Sequence, residues 1–400
     1  MWTEWALATR FLREGKAQSA LILVGIGAGV AVIVFITALI AGLQSNTVQR
    51  TLGTQAHIRV ETADEHNWIR PVPEGTAHLV LEDKRVQRLR SINNWQELRD
   101  MLDTMPRITA VSPVVSGPAF ARRGDARVSV ALVGIDPARY QKIVRVQDDI
   151  VEGKFHIAPG EAVVGRQLAM ELGLRVGDKL RLDGGQGGEA VVNVAGIFEL
   201  GVRELDSRYV YLDMRQAQSL LDLPGAATVL DLTVDEIFAA QEIARYIAQL
   251  TGLKAESWME TNSQLMNALR AQSFSTRLIS VFVALSVALG IASVLSVSVV
   301  QRTREIGILR AMGTTRGKIL RVFLIQGALY GVAGSLPGAL VGLGMANAFN
   351  TLGPGLFEVS VKPVLILATV TLATVTGILA AALPARRAAN LDPVEAIRHV

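Results

Sequence analysis

QRTREIGILRAMGTTRGK, residues 301–318, is the stretch that decides how this chain is organised. It has five basic residues and one acidic residue, Glu305, and it lies between two long apolar segments. Arginine and lysine collect in the short cytoplasmic loops of membrane proteins. The stretch therefore predicts a cytoplasmic loop that joins two membrane-spanning helices.

The rest of the sequence is apolar enough to supply those helices. Of its 400 residues, 50% are hydrophobic and only 19% are charged. Four windows contain no charged residue, namely 17–49, 278–301, 322–350 and 363–385. Each is longer than the ~20 residues with which a helix crosses a hydrocarbon core. Buried core helices are the alternative, but they suit shorter windows, so we predict four transmembrane helices.

The windows divide the chain into nine predicted segments. These are a cytoplasmic interfacial helix at 1–16, transmembrane helix 1 at 17–44, an extracytoplasmic domain with helical stalks at 45–273, transmembrane helix 2 at 274–300, the cytoplasmic loop at 301–321, transmembrane helix 3 at 322–349, an external loop at 350–362, transmembrane helix 4 at 363–385 and a cytoplasmic tail at 386–400. The first segment, the loop and the tail are all basic, which predicts that both termini are cytoplasmic.

The large domain mixes two kinds of sequence pattern. Alternation and β-branched residues predict strands at 57–61, 127–135, 179–182, 190–198, 208–212 and 228–234. Helices are predicted at 94–105, 165–174, 214–223 and 236–250. The fold class is therefore an α-helical membrane protein with a large α+β domain inserted between helices 1 and 2. The charged stretch 62–93 is a surface excursion or a partner contact, and one helical pattern runs from about Asn262 to Gln301 as a stalk.

The sequence lacks the usual patterns for nucleotide or metal chemistry. GTTRGKI, residues 313–319, is one residue too short for a Walker loop and has Ile319 in place of the magnesium-binding hydroxyl. DGGQGGE, residues 183–189, lies between two predicted strands and is a hairpin loop. The five histidines do not have the paired spacing of a helical zinc site. We predict no catalytic residue, metal or cofactor in this chain, and topology accounts for its net charge of +4 without nucleic acid.

Several motifs resemble a known family. REIGILRAMGTTRGKI (304–319) and LPARRAANLDPVEAIR (383–398), with one helix, a large domain and then three helices, are similar to the FtsX-like permeases of MacB-type ABC transporters, which work by mechanotransmission. LVGIDPA (132–138), VAGIFELGVRELDSRYVYLDMRQAQSLL (194–221) and ESWMETN (256–262) resemble the lipoprotein-releasing LolC/LolE group most.

The resemblance implies a bacterial inner-membrane permease with a periplasmic domain. Its partners would be an ATPase subunit that binds ATP and magnesium, a second permease copy or paralogue, membrane lipid, and a lipoprotein or other amphiphilic cargo. In the LolC type, a hook between the strands matching KLRL and VVNVAGIF docks a periplasmic carrier. Only DGGQGGE stands there in this chain, so docking of a carrier or adaptor stays open.

The same resemblance makes the loop at 301–321 a coupling helix on the ATPase. On a helix, Glu305, Ile308, Leu309 and Met312 recur at i, i+3, i+4 and i+7 and form a stripe suited to a protein groove. The candidate coupling residues are Arg304, Glu305, Ile308, Leu309, Arg310 and Met312. The alternative is that the charge of the loop only sets topology.

Small and apolar residues in the spans suggest two further functions. Glycines at Gly25, Gly29, Gly327, Gly331, Gly334, Gly338 and Gly342 predict close packing between helices. The candidate cargo groove, between the outer halves of helices 1 and 2, comprises Ile40, Leu43, Phe274, Leu278 and Phe282. Residues there could instead face lipid.

Two other functions fit the same resemblance. A MacB-type tripartite efflux permease would need an adaptor protein on the periplasmic domain. An FtsX-like regulator would activate a cell-wall hydrolase without moving cargo. A membrane-anchored enzyme is disfavoured because the sequence has no recognisable active site.

Overall fold

The computed structural model describes residues 4–5, 7–10, 16–63, 89–185, 188–353 and 355–392. The chain forms two compact units, with boundaries after residues 48 and 266. The helical unit combines residues 1–48 with residues 267–400, and the sheet unit comprises residues 49–266. Most of the predicted interfacial helix at 1–16, of the excursion at 62–93 and of the tail at 386–400 falls outside the described residues.

The helices and strands follow one another along the chain in a fixed order. They are α1 (Lys16–Gly53), β1 (Ile58–Glu61), α2 (Trp95–Asp103), β2 (Ile108–Arg123), β3 (Ala126–Ile135), α3 (Pro137–Tyr140), β4 (Ile150–Gly153), β5 (Glu161–Gly165), α4 (Arg166–Leu172), β6 (Lys179–Asp183), β7 (Glu189–Phe198), α5 (Arg203–Arg208), β8 (Tyr209–Asp213), α6 (Met214–Leu220), β9 (Val229–Val234), α7 (Ala240–Thr251), β10 (Lys254–Ser257), α8 (Trp258–Thr261), α9 (Ser263–Gln301), α10 (Thr303–Ala311), α11 (Arg316–Leu352) and α12 (Pro363–Ala389). Short 3₁₀ turns lie at Val146–Asp149 and Ile237–Ala239.

Within the described ranges, four helices are long and apolar enough to cross a membrane: α1, α9, α11 and α12. The longest, α9, has 39 residues without interruption, a length of about 58 Å. Its range agrees with the helical pattern predicted from about Asn262 to Gln301, and its length exceeds the ~30 Å thickness of a hydrocarbon core. Helix α11 begins at Arg316, six residues before the apolar window that starts at residue 322, because the turn after α10 is complete by Thr315.

The helical unit has a buried apolar core to which all four long helices contribute. It includes Ile22, Ile26, Val30 and Val34 of α1, Ile291, Leu295 and Val299 of α9, Phe323 and Tyr330 of α11, and Ala373, Ala381, Ala385 and Ala388 of α12. One polar pair joins two helices of this unit, since Ser19 Oγ of α1 lies 2.9 Å from the Tyr330 hydroxyl of α11. A hydrogen bond of this kind stabilises the contact because water is excluded there.

The described residues of the sheet unit form one ten-stranded mixed sheet. Six strands close into a ring: β2 pairs with β3, β3 with β8, β8 with β5, β5 with β7, β7 with β6, and β6 again with β2. Alternate residues of these strands point inward and fill the ring with aliphatic side chains, among them Val115, Leu132, Val164, Leu180, Val194 and Leu212. Strands β9, β1 and β10 extend the sheet from β2.

Strand β2 makes the closure possible, because it changes partners along its 16 residues. Residues 108–114 pair with β9, whereas residues 120–122 pair with β6. Between these two stretches β3 is the one described strand that pairs with β2, and Pro118 lies there. A proline is tolerated where a strand has no ladder partner on one side, because the missing donor costs no ladder hydrogen bond there.

The six strands predicted from alternation are present as β1, β3, β6, β7, β8 and β9. The predicted helices at 94–105, 165–174 and 214–223 correspond to α2, α4 and α6, and the fourth prediction begins too early, since α7 starts at Ala240. Strands β2, β4, β5 and β10 are not predicted by the sequence patterns. In β2 the reason is local, because Pro113, Gly117 and Pro118 interrupt the β-branched pattern.

Candidate functional site

The basic stretch at 301–318 contains a separate short helix, α10, which has one buried and one exposed side. Arg302 interrupts the helical geometry between α9 and α10. Ile306 is only 1% exposed and Gly307 is also buried, so this side of α10 packs onto the helical unit. The opposite side carries Arg304, Glu305, Ile308 and Met312, of which Ile308 is 44% and Met312 79% exposed. Leu309 is half-buried between the two sides.

The exposed side of α10, formed by Arg304, Glu305, Ile308 and Met312, is called the α10 stripe below. Its acidic group, the Glu305 carboxylate, lies 3.8 Å from the Arg302 guanidinium and is more than half exposed. The Arg302 side chain is largely buried, but solvent at the Glu305 carboxylate and the long distance leave this ion pair a small contribution to stability. The stripe therefore presents apolar and charged groups that no other described part of the chain covers.

Arg310, one of the candidate coupling residues, lies away from this stripe. Its Nη1 donates to the Ala389 carbonyl at 3.1 Å and also to the Leu391 carbonyl, at the end of α12. The physical reason is that the last carbonyls of a helix lack intrahelical partners and carry partial negative charge. A cation on α10 is therefore drawn inward to them.

The predicted glycine ridge of α11 meets two different helices. A Cβ added to Gly331 would lie 2.7 Å from the Thr374 Cα of α12, and one added to Gly327 would lie 2.6 Å from the Ala381 Cβ. On the other side, a Cβ at Gly338 would lie 2.8 Å from the Gly27 Cα of α1. Gly334 and Gly342 also face α1. Side chains at these positions would force the helices apart.

In α1 the glycines differ from one another. A Cβ at Gly29 would lie 2.9 Å from Val287 Cγ2 of α9, so this glycine is at a helix contact. Gly25 is exposed, and a Cβ there would meet nothing within 4 Å among the described residues, so its predicted packing function stays a prediction. Gly27, which the sequence analysis overlooked, makes the contact with α11. Gly27 lies two residues from both Gly25 and Gly29. Two residues correspond to a rotation of about 200° around the helix axis, so Gly27 faces a different neighbour.

The candidate cargo residues lie near the place where α1 and α9 meet. Gln44 Nε2 donates to Ser273 Oγ at 3.2 Å and to the Leu269 carbonyl at 3.3 Å, which holds the two helices together beside Leu43 and Phe274. Phe274, Leu278 and Phe282 follow one another at every fourth residue along an exposed face of α9. Ile40 is half-buried. The arrangement is an apolar helix surface that can contact acyl chains.

The sheet unit has one buried carboxylate in the motif that the sequence analysis singled out. Asp206 accepts hydrogen bonds from the Leu200 amide at 2.8 Å and the Gly201 amide at 3.2 Å. Burial raises the pKa of this carboxyl above its ordinary value, although the two amide bonds oppose the shift. Asp206 thus closes the turn after β7, which is a structural function. Among the residues that the structure describes, no three acidic or histidine side chains are grouped so that they could hold a metal ion.

The long apolar helices, the mixed sheet unit and the short amphipathic helix between two spans are the features of a helical membrane protein. Two family models identify the class as a permease. Residues 19–250 match the MacB-like periplasmic core domain, and residues 277–393 match the FtsX-like permease C-terminal region. The chain therefore belongs to the FtsX-like permeases with a MacB-like periplasmic core domain.

Three relatives show the range of proteins that resemble this chain. The lipoprotein-releasing system transmembrane protein LolC of Xylella fastidiosa is 25% identical, covering 98% of both chains. LolE of Haemophilus influenzae is 24% identical over 99% of both chains. The macrolide export ATP-binding/permease protein MacB of Shewanella oneidensis is 26% identical over 99% of this chain but only 61% of its own length. The chain is thus a permease of the LolC/LolE and MacB type of ABC transporter.

Proposed function

We propose that this chain is a permease subunit that converts ATP hydrolysis by a separate ATPase subunit into movement of its periplasmic domain. The observation that carries the proposal is the α10 stripe, an exposed row of apolar and charged side chains on a helix whose other side is buried in the helical unit. ATP and magnesium would bind to the partner, and this chain would contribute no catalytic group.

The chemistry of the α10 stripe supports a protein partner. Ile308 and Met312 are one helical turn apart and expose apolar surface in a loop that is otherwise strongly basic. Covering such side chains is favourable by about 25 cal/mol for each Å² removed from water. Arg304 and Glu305 on the same side supply charges that fix the orientation of a partner. A short helix with this pattern suits a groove on another protein.

Topology and membrane follow from the same proposal. With α10 on the ATPase, the loop, the N-terminal segment and the tail are cytoplasmic, and the sheet unit is periplasmic, in agreement with the basic residues in all three short segments. The location would be the bacterial inner membrane. The permease would work as a pair, with either a second copy or a paralogue.

For the cargo, we favour lipoproteins or another amphiphilic molecule released from the membrane. Support comes from the exposed aromatic and aliphatic face of α9, where Phe274 and Phe282 are 62% and 64% exposed. The likeness to MacB favours a second candidate, export with a periplasmic adaptor. Copurification of an adaptor with the complex would distinguish this alternative.

The test of the proposal is whether acidic substitutions in the α10 stripe remove the ATPase. Ile308→Asp and Met312→Asp would place a carboxylate in an apolar interface, where an unpaired charge costs several kcal/mol. Since about 1.4 kcal/mol corresponds to a factor of ten, binding should weaken at least tenfold. The measurement is copurification of the ATPase encoded with this chain, quantified against the amount of permease.

Thr315→Asp is the matched control, because it adds the same acid to the same loop outside α10. Thr315 is exposed and precedes the first residue of α11, a position where aspartate is a good cap. This variant should keep the ATPase. Full retention of the ATPase by both stripe variants would show that the loop's charge only sets topology.

A further inference from the structure

We infer that Arg310 is a positioning residue that locks α10 onto the cytoplasmic end of α12, so that α10 moves as one body with α11 and α12. The functional consequence of this lock rests on the proposed function, in which the ATPase moves α10. The lock itself is a property of this chain.

The first line of evidence is the hydrogen bonding of the guanidinium. Arg310 Nη1 reaches two carbonyls, Ala389 in the last turn of α12 and Leu391 just beyond it. A planar guanidinium with donors in fixed directions restrains both distance and angle, which a flexible ammonium does not. The positive charge also lies at the negative end of the α12 dipole.

Burial gives the second line of evidence. The Nε of Arg310 is buried and has no hydrogen-bond partner among the described residues. A buried unpaired donor is unfavourable, so the two Nη1 hydrogen bonds and the packing around them must outweigh this cost. Ile306, one turn before Arg310 on α10, belongs to the same buried apolar cluster as Ala385 and Ala388 of α12, both 0% exposed. Apolar packing thus brings α10 and α12 together, and Arg310 determines how they are oriented.

The contacts beyond α12 show where a movement would go. Helix α12 meets α11 with almost no side chain between them, since Gly377 and Gly327 face each other. Helix α11 meets α1 in the same manner at Gly338 and Gly27. Contacts between backbones cannot be absorbed by rotamer changes. A displacement of α10 would therefore be passed to α12, α11 and α1, in addition to α9, to which α10 is covalently joined.

Spin labels test the lock directly, because the chain contains no cysteine. One label is attached at Ala311 of α10 and the other at Asn390, just after α12, both of which are exposed. In lipid nanodiscs the unsubstituted chain should give one narrow distance between the labels. Arg310→Gln should make the distribution roughly twofold wider, because the two carbonyls lose their shared partner. Arg304→Gln, on the exposed side of the same helix, should leave it narrow.

A second label pair separates loosening of α10 from misfolding. Leu340 of α11 and Leu367 of α12 are exposed, and their distance should be the same with and without Arg310→Gln. A narrow 311–390 distance in Arg310→Gln, equal to that in Arg304→Gln, overturns the inference.

The ATPase gives an independent arm of the experiment. Arg310→Gln should still bind the ATPase, because Arg310 is not on the α10 stripe, while the nucleotide-dependent change in the 311–390 distance distribution should be lost. Failure of the unsubstituted chain to bind the ATPase would contradict the proposed function and leave the lock, as measured by the labels alone, unaffected.

Discussion

Gly338→Ala is the substitution that tests helix packing most directly, because the contact lies between two backbones. The added methyl group would lie 2.8 Å from the Gly27 Cα and 3.0 Å from the Gly27 carbonyl carbon of α1. Carbon atoms are at their best separation at roughly 3.5–4.0 Å. The two helices would therefore have to separate by about 1 Å, and no side chain can move aside to prevent this.

The expected loss of stability follows from that separation. Forcing an extra methyl group into a close-packed contact typically costs about 1–3 kcal/mol. The higher helix propensity of alanine offsets part of this, by at most about 1 kcal/mol. Gly344→Ala on the same helix is the matched control, since a Cβ there meets nothing within 4 Å. It should be neutral or slightly stabilising.

The assay is reversible unfolding of both variants in mixed micelles with increasing sodium dodecyl sulfate, monitored by circular dichroism. Gly338→Ala should unfold at a lower fraction of dodecyl sulfate than the unsubstituted chain, and Gly344→Ala at the same or a higher fraction. If the two variants unfold together, the backbone contact between α11 and α1 does not limit stability, and the packing argument is wrong.

Two further predictions concern the topology of the chain and the pH dependence of its stability. Single cysteines at the exposed Ser129 of β3 and Thr315 of the loop should react oppositely with a membrane-impermeant thiol reagent on intact cells, and equal labelling would contradict the proposed topology. The Nδ1 atom of His57 lies 3.1 Å from the Val234 amide nitrogen, and burial lowers the pKa of this imidazole below its ordinary value of 6.5. When the pH falls below 6.5, the unfolded chain therefore takes up a proton at His57 that the folded chain does not, which lowers stability. The midpoint temperature of thermal unfolding should decrease when the pH is lowered from about 7.5 to about 5.5, and it should decrease less in the His57→Gln variant. An equal decrease in both proteins would rule His57 out as the cause.

Helix α10 shows how far the sequence reaches at the candidate site. The period of apolar and charged residues predicts the exposed positions Glu305, Ile308 and Met312, because neighbours three and four apart share a helix face. It does not predict that Arg310 turns inward, since that depends on where the end of α12 lies, some 80 residues later in the chain. The sequence also does not predict that Gly27 contacts α11 while Gly25 is exposed, because this depends on where α11 lies in the folded chain.

By itself, the sequence determined the elements whose signal is local. Uninterrupted apolar windows are long enough to form α1, α9, α11 and α12, and alternation produces six of the ten strands. Only the tertiary structure decided which surfaces meet: the closed ring that β2 completes with β6, the glycines at which α11 touches α1 and α12, and the carbonyls that receive Arg310. The physical reason is that hydropathy and period are properties of neighbours in sequence. The choice of contact depends on distant segments, and a helix turns by about 100° per residue, so a shift of one position selects a different neighbour.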